Sequence, residues 1–201
     1  LEDYALYMTA QQLNQNKSYR EWCEPQKNRA PDAIVQMYLD QEDEVNFWKF
    51  CQYEFSLQWA DLKAEAKKLD IEIMGDIPIY VAADSADAWA HPELFLFDEN
   101  GLPTAVAGCP PDYFAQDGQL WGNPLYKWDY HEKTRYAWWI ARIRNALRFY
   151  DIVRIDHFRA FDTYYAIPYG EKTARNGAWQ KGPGIKLFDA VKQALGEVNI
   201  V

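Results

Sequence analysis

The stretch Tyr150 to Phe161 reads "YDIVRIDHFRAF". Ile152, Val153 and Ile155 are β-branched and surround Arg154, which predicts a short buried strand. A long amphipathic helical pattern precedes it, so a helix feeds a strand, half of a βαβ unit. In such units the chemistry sits on loops at the carboxyl ends of the strands, which the sheet or barrel below holds rigid. Asp156 stands at that end. Arg154, two residues earlier, shares its side of the strand, because side chains at i and i+2 project alike. A guanidinium beside a carboxylate favours the ionised form that a nucleophile requires. A purely structural ion pair, or an Asp capping the turn that follows, would use the same residues. His157 follows directly and should point elsewhere unless the strand has already turned.

Working outward, the same grammar recurs. From Gln41 to Leu69, the residues Trp48, Cys51, Phe55, Trp59, Leu62, Ala66 and Leu69 step by three or four, one face of a long helix, and the strand "IEIMGD" (71–76) follows. From Glu132 to Tyr150, the residues Tyr136, Trp139, Ile140, Ile143, Leu147 and Tyr150 repeat the helical spacing before "DIVRID". From Lys186 to Leu195, the residues Leu187, Phe188, Val191, Ala194 and Leu195 form a third face, with Gly196 placed as a C-cap and "EVNIV" after it. Two shorter helices are predicted over Leu1–Gln15 and Pro31–Asp40. Two of the three strands close on a carboxylate, Asp76 and Asp156. Repeated helix-to-strand units with crossovers build an open doubly wound sheet or an eight-stranded barrel. The expected class is α/β, and the expected architecture is a partial (β/α)8 TIM barrel with long insertions, since a full barrel takes about 250 residues. The 201 residues are expected to be part of a single catalytic barrel domain, incomplete at its C-terminal end, with 1–40 a helical segment.

Residues 81–131 show little periodicity and are expected to be a long functional loop insertion, far beyond the usual connection of roughly six residues. Its centre interleaves Tyr113, Phe114, Trp121, Tyr126, Trp128 and Tyr130 with Asp112, Gln119 and Asn123. Aromatic faces beside amide and carboxylate groups suit a sugar, whose C–H faces are apolar and whose rim is hydroxylated. The same aromatics could instead form a small core that holds a long loop together.

Composition narrows the partners. The chain is 49% hydrophobic and 16% aromatic, enough for a substantial core. Its 21 basic and 30 acidic residues leave a net charge of -9, which disfavours nucleic acid and anionic lipid as partners. No run approaches the roughly 18 apolar residues of a membrane helix, and a cytoplasmic setting is expected. Cys23, Cys51 and Cys109 suit neither a disulfide framework nor a zinc knuckle, and His91, His131 and His157 lack metal-site spacing, so no metal is expected.

Four segments, "GDIPIYVAADSADAWAHPELF" (75–95), "PPDYFAQDGQLWGNPLY" (110–126), "YDIVRIDHFRAF" (150–161) and "GAWQKGPGIKLF" (177–188), resemble in order the motifs of the 4-α-glucanotransferases, the amylomaltase or disproportionating-enzyme family related to the α-amylases. The helix "FWKFCQYEFSLQWADLK" (47–63) extends the resemblance over nearly the whole chain.

The resemblance implies a cofactor-free transferase that moves α-1,4-glucan segments to glucose or maltooligosaccharide acceptors by double displacement with retention. Asp156 matches the family's nucleophile at the end of the fourth barrel strand, and Arg154 the Arg that orients and ionises it. Asp76 matches a supporting acidic residue at the end of the third strand. Asp112, Tyr113, Phe114, Gln119 and Trp121 fall on the family's flexible loop that grips glucan, and His157 lines the sugar subsite. The family's general acid, a Glu in an "AEDLG"-like motif, would follow a stretch like "VNIV", beyond Val201. The 201 residues are therefore expected to be a fragment, inactive alone and prone to self-association. An α-amylase-like hydrolase and a non-catalytic glucan-binding module remain the alternatives.

Overall fold

A computed structural model describes residues 1–201, which fall into two units: Leu1–Leu62 with Ala82–Pro92, and Lys63–Val81 with Glu93–Val201. The first unit is helical: α1 (Glu2–Leu13), α2 (Glu24–Lys27), α3 (Pro31–Asp40), α4 (Glu42–Lys68, which from Lys63 onward belongs to the second unit) and α5 (Ala86–Ala90). The α1 helix stops at Leu13 because Gln15 and Asn16 turn left-handed. Pro31 begins α3 at a position where no intrahelical N–H is needed. The unit's core is a triangle of rings, with Tyr7, Trp22 and Trp89 at centroid separations of 5.6 to 5.8 Å. Asp84 ties it together, accepting hydrogen bonds from the Tyr7 hydroxyl (3.0 Å) and the Tyr19 N–H (3.1 Å).

The α4 helix forms where its periodicity predicts, but only Val45 along it is buried. Phe47, Phe50, Tyr53, Phe55 and Leu62 are exposed. A helical period predicts an apolar face and says nothing of what covers it.

The second unit carries the α/β architecture. After β1 (Met74–Pro78), the chain makes β2 (Ala105–Cys109), β3 (Gln119–Pro124), α6 (Trp128–Lys133) and α7 (Ala137–Phe149), then returns as β4 (Ile152–Asp156), paired in parallel with β1. It continues through β5 (Thr163–Pro168), β6 (Ala178–Lys181) and α8 (Ile185–Leu195). The Val153 N–H donates to Asn199 O and the Ile155 N–H to Val201 O (2.9 Å each), so residues 199–201 pair alongside β4. Helices thus alternate with parallel neighbours, as expected. Gly75 is required in β1: a Cβ there would lie 2.0 Å from the Tyr150 ring that covers it.

Three readings change. The strand expected at 71–76 is shifted to Met74–Pro78. The single helix expected over 132–150 is two, because Arg135 and Tyr136 both adopt left-handed backbone. His131 ahead of the break, Tyr136 at it, and Trp139 and Ile143 beyond it are all buried. The long insertion is not irregular: it supplies β2 and β3 to a four-stranded antiparallel sheet ordered β3-β2-β5-β6. No helix is long and apolar enough to cross a membrane.

Past β3 the chain builds an aromatic core in which Tyr126 packs against Phe95, Trp128, His131 and Trp139 at 5.0 to 5.5 Å. His131 is fully buried; its Nε2 bonds the Leu94 carbonyl oxygen at 3.1 Å and its Nδ1 has no partner. Burial pulls its pKa down to about 4, since a proton on Nδ1 would find no acceptor. Above pH 6.5 the ring is neutral both folded and unfolded. Below that, the unfolded chain binds a proton that the fold refuses, until the folded ring titrates near pH 4. Stability should therefore fall on the order of 2–3 kcal/mol as pH drops through this window. Denaturant unfolding of wild type and His131→Gln checks this: the variant, whose amide can still donate to Leu94 O, should show a flatter pH dependence.

Candidate active site

Alternation along β4 puts Val153 and Ile155 into the core and leaves Arg154 and Asp156 on the opposite, exposed face. Parallel register sets Asp76 directly opposite Arg154, so three charged side chains from two strands share one face. The Arg154 guanidinium spans them: Nη1 donates to Asp76 Oδ2 and Nη2 donates to Asp156 Oδ1 at 2.6 Å. The two carboxylates, Asp76 foremost, hold the guanidinium's pKa above its ordinary value. The planar fork fixes the Asp156 carboxylate through one oxygen. Asp156 does not cap the turn that follows, because the N-cap position of that turn is His157.

His157 takes a left-handed conformation (φ 56°), which ends the strand and swings the imidazole out of the alternation. Its ring meets Trp121 edge-to-face at 4.8 Å, and Trp121 lies 6.4 Å from Tyr80. Burial lowers the His157 pKa, against the opposing pull of the Asp156 charge. The Trp121 indole N–H donates to Gln119 Oε1 at 3.0 Å, which steadies the ring on β3. Together these groups offer a carboxylate on a rigid mount beside an aromatic wall.

Asp112, Tyr113 and Phe114 stand apart, at the tip of the turn between β2 and β3. Asp112 Oδ1 accepts the backbone N–H groups of Phe114 (2.8 Å) and Ala115 (2.7 Å), so its carboxylate shapes the turn. Tyr113 and Phe114 are each 93% exposed and touch one another edge-to-face. The aromatics of the insertion thus divide: Tyr126 and Trp128 belong to the small core, Trp121 to the wall beside His157, and Tyr113 and Phe114 to an exposed tip. Tyr80 was not singled out from sequence; its position just past the strand that carries Asp76 was the available signal.

A family profile described as 4-alpha-glucanotransferase matches residues 1–201. The 4-alpha-glucanotransferase of Clostridium butyricum is 48% identical over 202 residues, covering 100% of this chain and 42% of the relative. That of Thermus thermophilus is 47% identical, covering 100% of this chain and 40% of the relative. A solved amylomaltase from Streptococcus agalactiae, in complex with acarbose, superposes with a TM-score of 0.95 at 41% identity, over 99% of this chain and 40% of that one. The chain thus spans about two fifths of the length of the relatives it matches. With the match running from the first residue to the last and the fold shared, the chain belongs to the 4-α-glucanotransferase family.

Proposed function

We propose that residues 1–201 supply the nucleophile side of a retaining 4-α-glucanotransferase, within a (β/α)8 catalytic barrel completed by the rest of the full-length polypeptide. The observation that carries this reading is the Asp76–Arg154–Asp156 array on one exposed face of two parallel strands, with Asp156 the last residue of β4 and Asp76 at mid-strand in β1. With Oδ1 held by Arg154, Asp156 attacks the anomeric carbon through Oδ2. The C–O bond to the leaving glucan breaks as a general acid protonates its oxygen, leaving a covalent glucosyl ester on Asp156. An acceptor hydroxyl then displaces the carboxylate, giving its proton to the same group acting as base.

Retention requires the second carboxyl group about 5 to 5.5 Å from the first. Asp76 is engaged by the same guanidinium that holds Asp156, and the acid is expected from outside residues 1–201. Arg154 orients the nucleophile, and His157, Gln119 and Trp121 border the sugar. Asp112, Tyr113 and Phe114 carry the tip that closes on glucan and keeps water from the ester, which favours transfer. The substrates are α-1,4-glucans and maltooligosaccharides, and the proposed setting is the cytoplasm, in keeping with three free thiols.

Incubating the full-length protein with maltotriose tests the reading. A ladder of longer oligosaccharides with free glucose is expected, whereas maltose and glucose without longer products would mean hydrolysis. Residues 1–201 alone should be inactive and, with the apolar side chains of α4 uncovered, should sediment as associated species.

A further inference from the structure

Halfway along α7 sits a cation that this mechanism does not use. The Arg142 guanidinium lies 5.3 and 5.0 Å from the ring centroids of Trp138 and Trp139, and none of its donors goes to a carboxylate. Nη1 donates to Ile79 O (3.0 Å) and to the Tyr126 hydroxyl oxygen (3.2 Å), and Nη2 donates to Pro78 O (2.6 Å). The Tyr126 hydroxyl in turn donates to Ile79 O at 2.6 Å, and the Asn123 side-chain amide donates to Val81 O at 2.8 Å. The carbonyls of Pro78, Ile79 and Val81, at and just past the end of β1, are therefore each held by a side chain from another element.

A chain leaving a strand loses its ladder partners, and its carbonyls must be satisfied some other way. An apolar residue over the two indoles would keep the packing but leave those carbonyls without these donors. The planar guanidinium fork donates to two successive carbonyls and a hydroxyl together. What the clamped segment carries is Tyr80, whose ring stacks on Tyr126 (5.8 Å, 23° between planes) and meets Trp121 (6.4 Å). Trp121 meets His157 at 4.8 Å, and His157 directly follows Asp156 in the chain.

We propose that Arg142 is a positioning residue, clamping Pro78–Val81 so that Tyr80 and Trp121 hold the His157 ring and the end of β4 that bears Asp156 in register for glucosyl transfer. The inference rests on Asp156 being the nucleophile.

The test uses the full-length protein. Arg142→Met keeps the packing over the indoles and deletes the donors; Tyr126→Phe deletes one donor to Ile79 with little change of volume; Arg144→Ala, on the exposed side of α7, is the control. In Arg142→Met, kcat with maltotriose should fall on the order of 10- to 100-fold, since misplacement of about 1 Å costs that much. KM should change less than about threefold. In protein labelled with 13C-histidine, the His157 ring signals, displaced by the Trp121 ring current, should move while those of His91 stay. Tyr126→Phe should show the same pattern more weakly.

A folded Arg142→Met protein with wild-type kcat overturns the proposal, and so does a lowered kcat with unmoved His157 signals. If Arg142→Met does not fold, Tyr126→Phe decides on the same two readouts. Asp156→Asn run in parallel separates the two ideas: turnover surviving it rejects the nucleophile assignment, while the His157 signals still report whether Arg142 sets the ring wall.

Discussion

Asp156→Asn in the full-length protein is expected to lower glucan transfer on the order of 10⁴-fold or more, the scale on which a deleted nucleophile acts. Asn keeps the size of the side chain and an oxygen to accept from Arg154 Nη2, so the local arrangement survives. What it lacks is the second anionic oxygen that would attack the anomeric carbon. Asp156 is on the exposed face of β4, whose buried face is Val153 and Ile155, so the unfolding midpoint should hardly move. Turnover and melting curves measured on one preparation would show the two effects apart. Glucan binding retained with turnover abolished also rejects a module that only binds.

Arg154→Met is expected to reduce kcat on the order of 10²- to 10³-fold, comparable to losing one oriented charge-stabilising donor. The substitution keeps a long side chain but removes the cation between Asp76 and Asp156, leaving two carboxylates on adjacent parallel strands with nothing to separate them. Asp156 then loses its fixed orientation and is pushed by its neighbour. Arg154→Lys should fall between wild type and Met, because an ammonium keeps the charge without the fork that reaches both carboxylates. Asp76→Asn should cost far less in the Arg154→Met background than alone, if the two residues act as a unit. Exposed ion pairs add little to stability, so a large loss of melting temperature in Arg154→Met would argue for a structural role instead.

The parts of the fold that were legible in the sequence are those where one periodicity served one partner. Ile152, Val153 and Ile155 predict β4 because they alternate around Arg154, and the same alternation is what delivers Arg154 and Asp156 to one face. Leu187 and Val191 predict the buried side of α8, and Gly196 ends it with the positive φ that its C-cap placement needs.

The antiparallel sheet was not legible for local reasons. β2 is built of small residues, Ala105 to Cys109, with no β-branched alternation beyond Val106, and all of β6 is exposed, so neither shows an apolar period. β5, with Thr163, Tyr164, Tyr165 and Ile167, is β-prone in composition, but no strand is predicted there from the sequence. These strands are specified by pairing with one another, Gly108 opposite Tyr165 and Tyr165 opposite Trp179, and such long-range partners do not show in a local window.

The site divides along the same line. Arg154 and Asp156 could be paired from the i, i+2 rule, whereas the Asp76 contact depends on the β1–β4 register. The contact of His157 with Trp121 depends on the left-handed turn at His157, which a non-glycine residue does not advertise.

The claim at the centre of this account is that Asp156 bonds covalently to glucose. Trapping the full-length protein with a fluorinated glucosyl donor that slows breakdown of the ester, then mapping the labelled peptide by mass spectrometry, tests it most directly. The account predicts one glucosyl residue on Asp156, within the sequence "IVRIDHF". A label on any other residue, or active protein that turns over glucan while carrying no label, would contradict it.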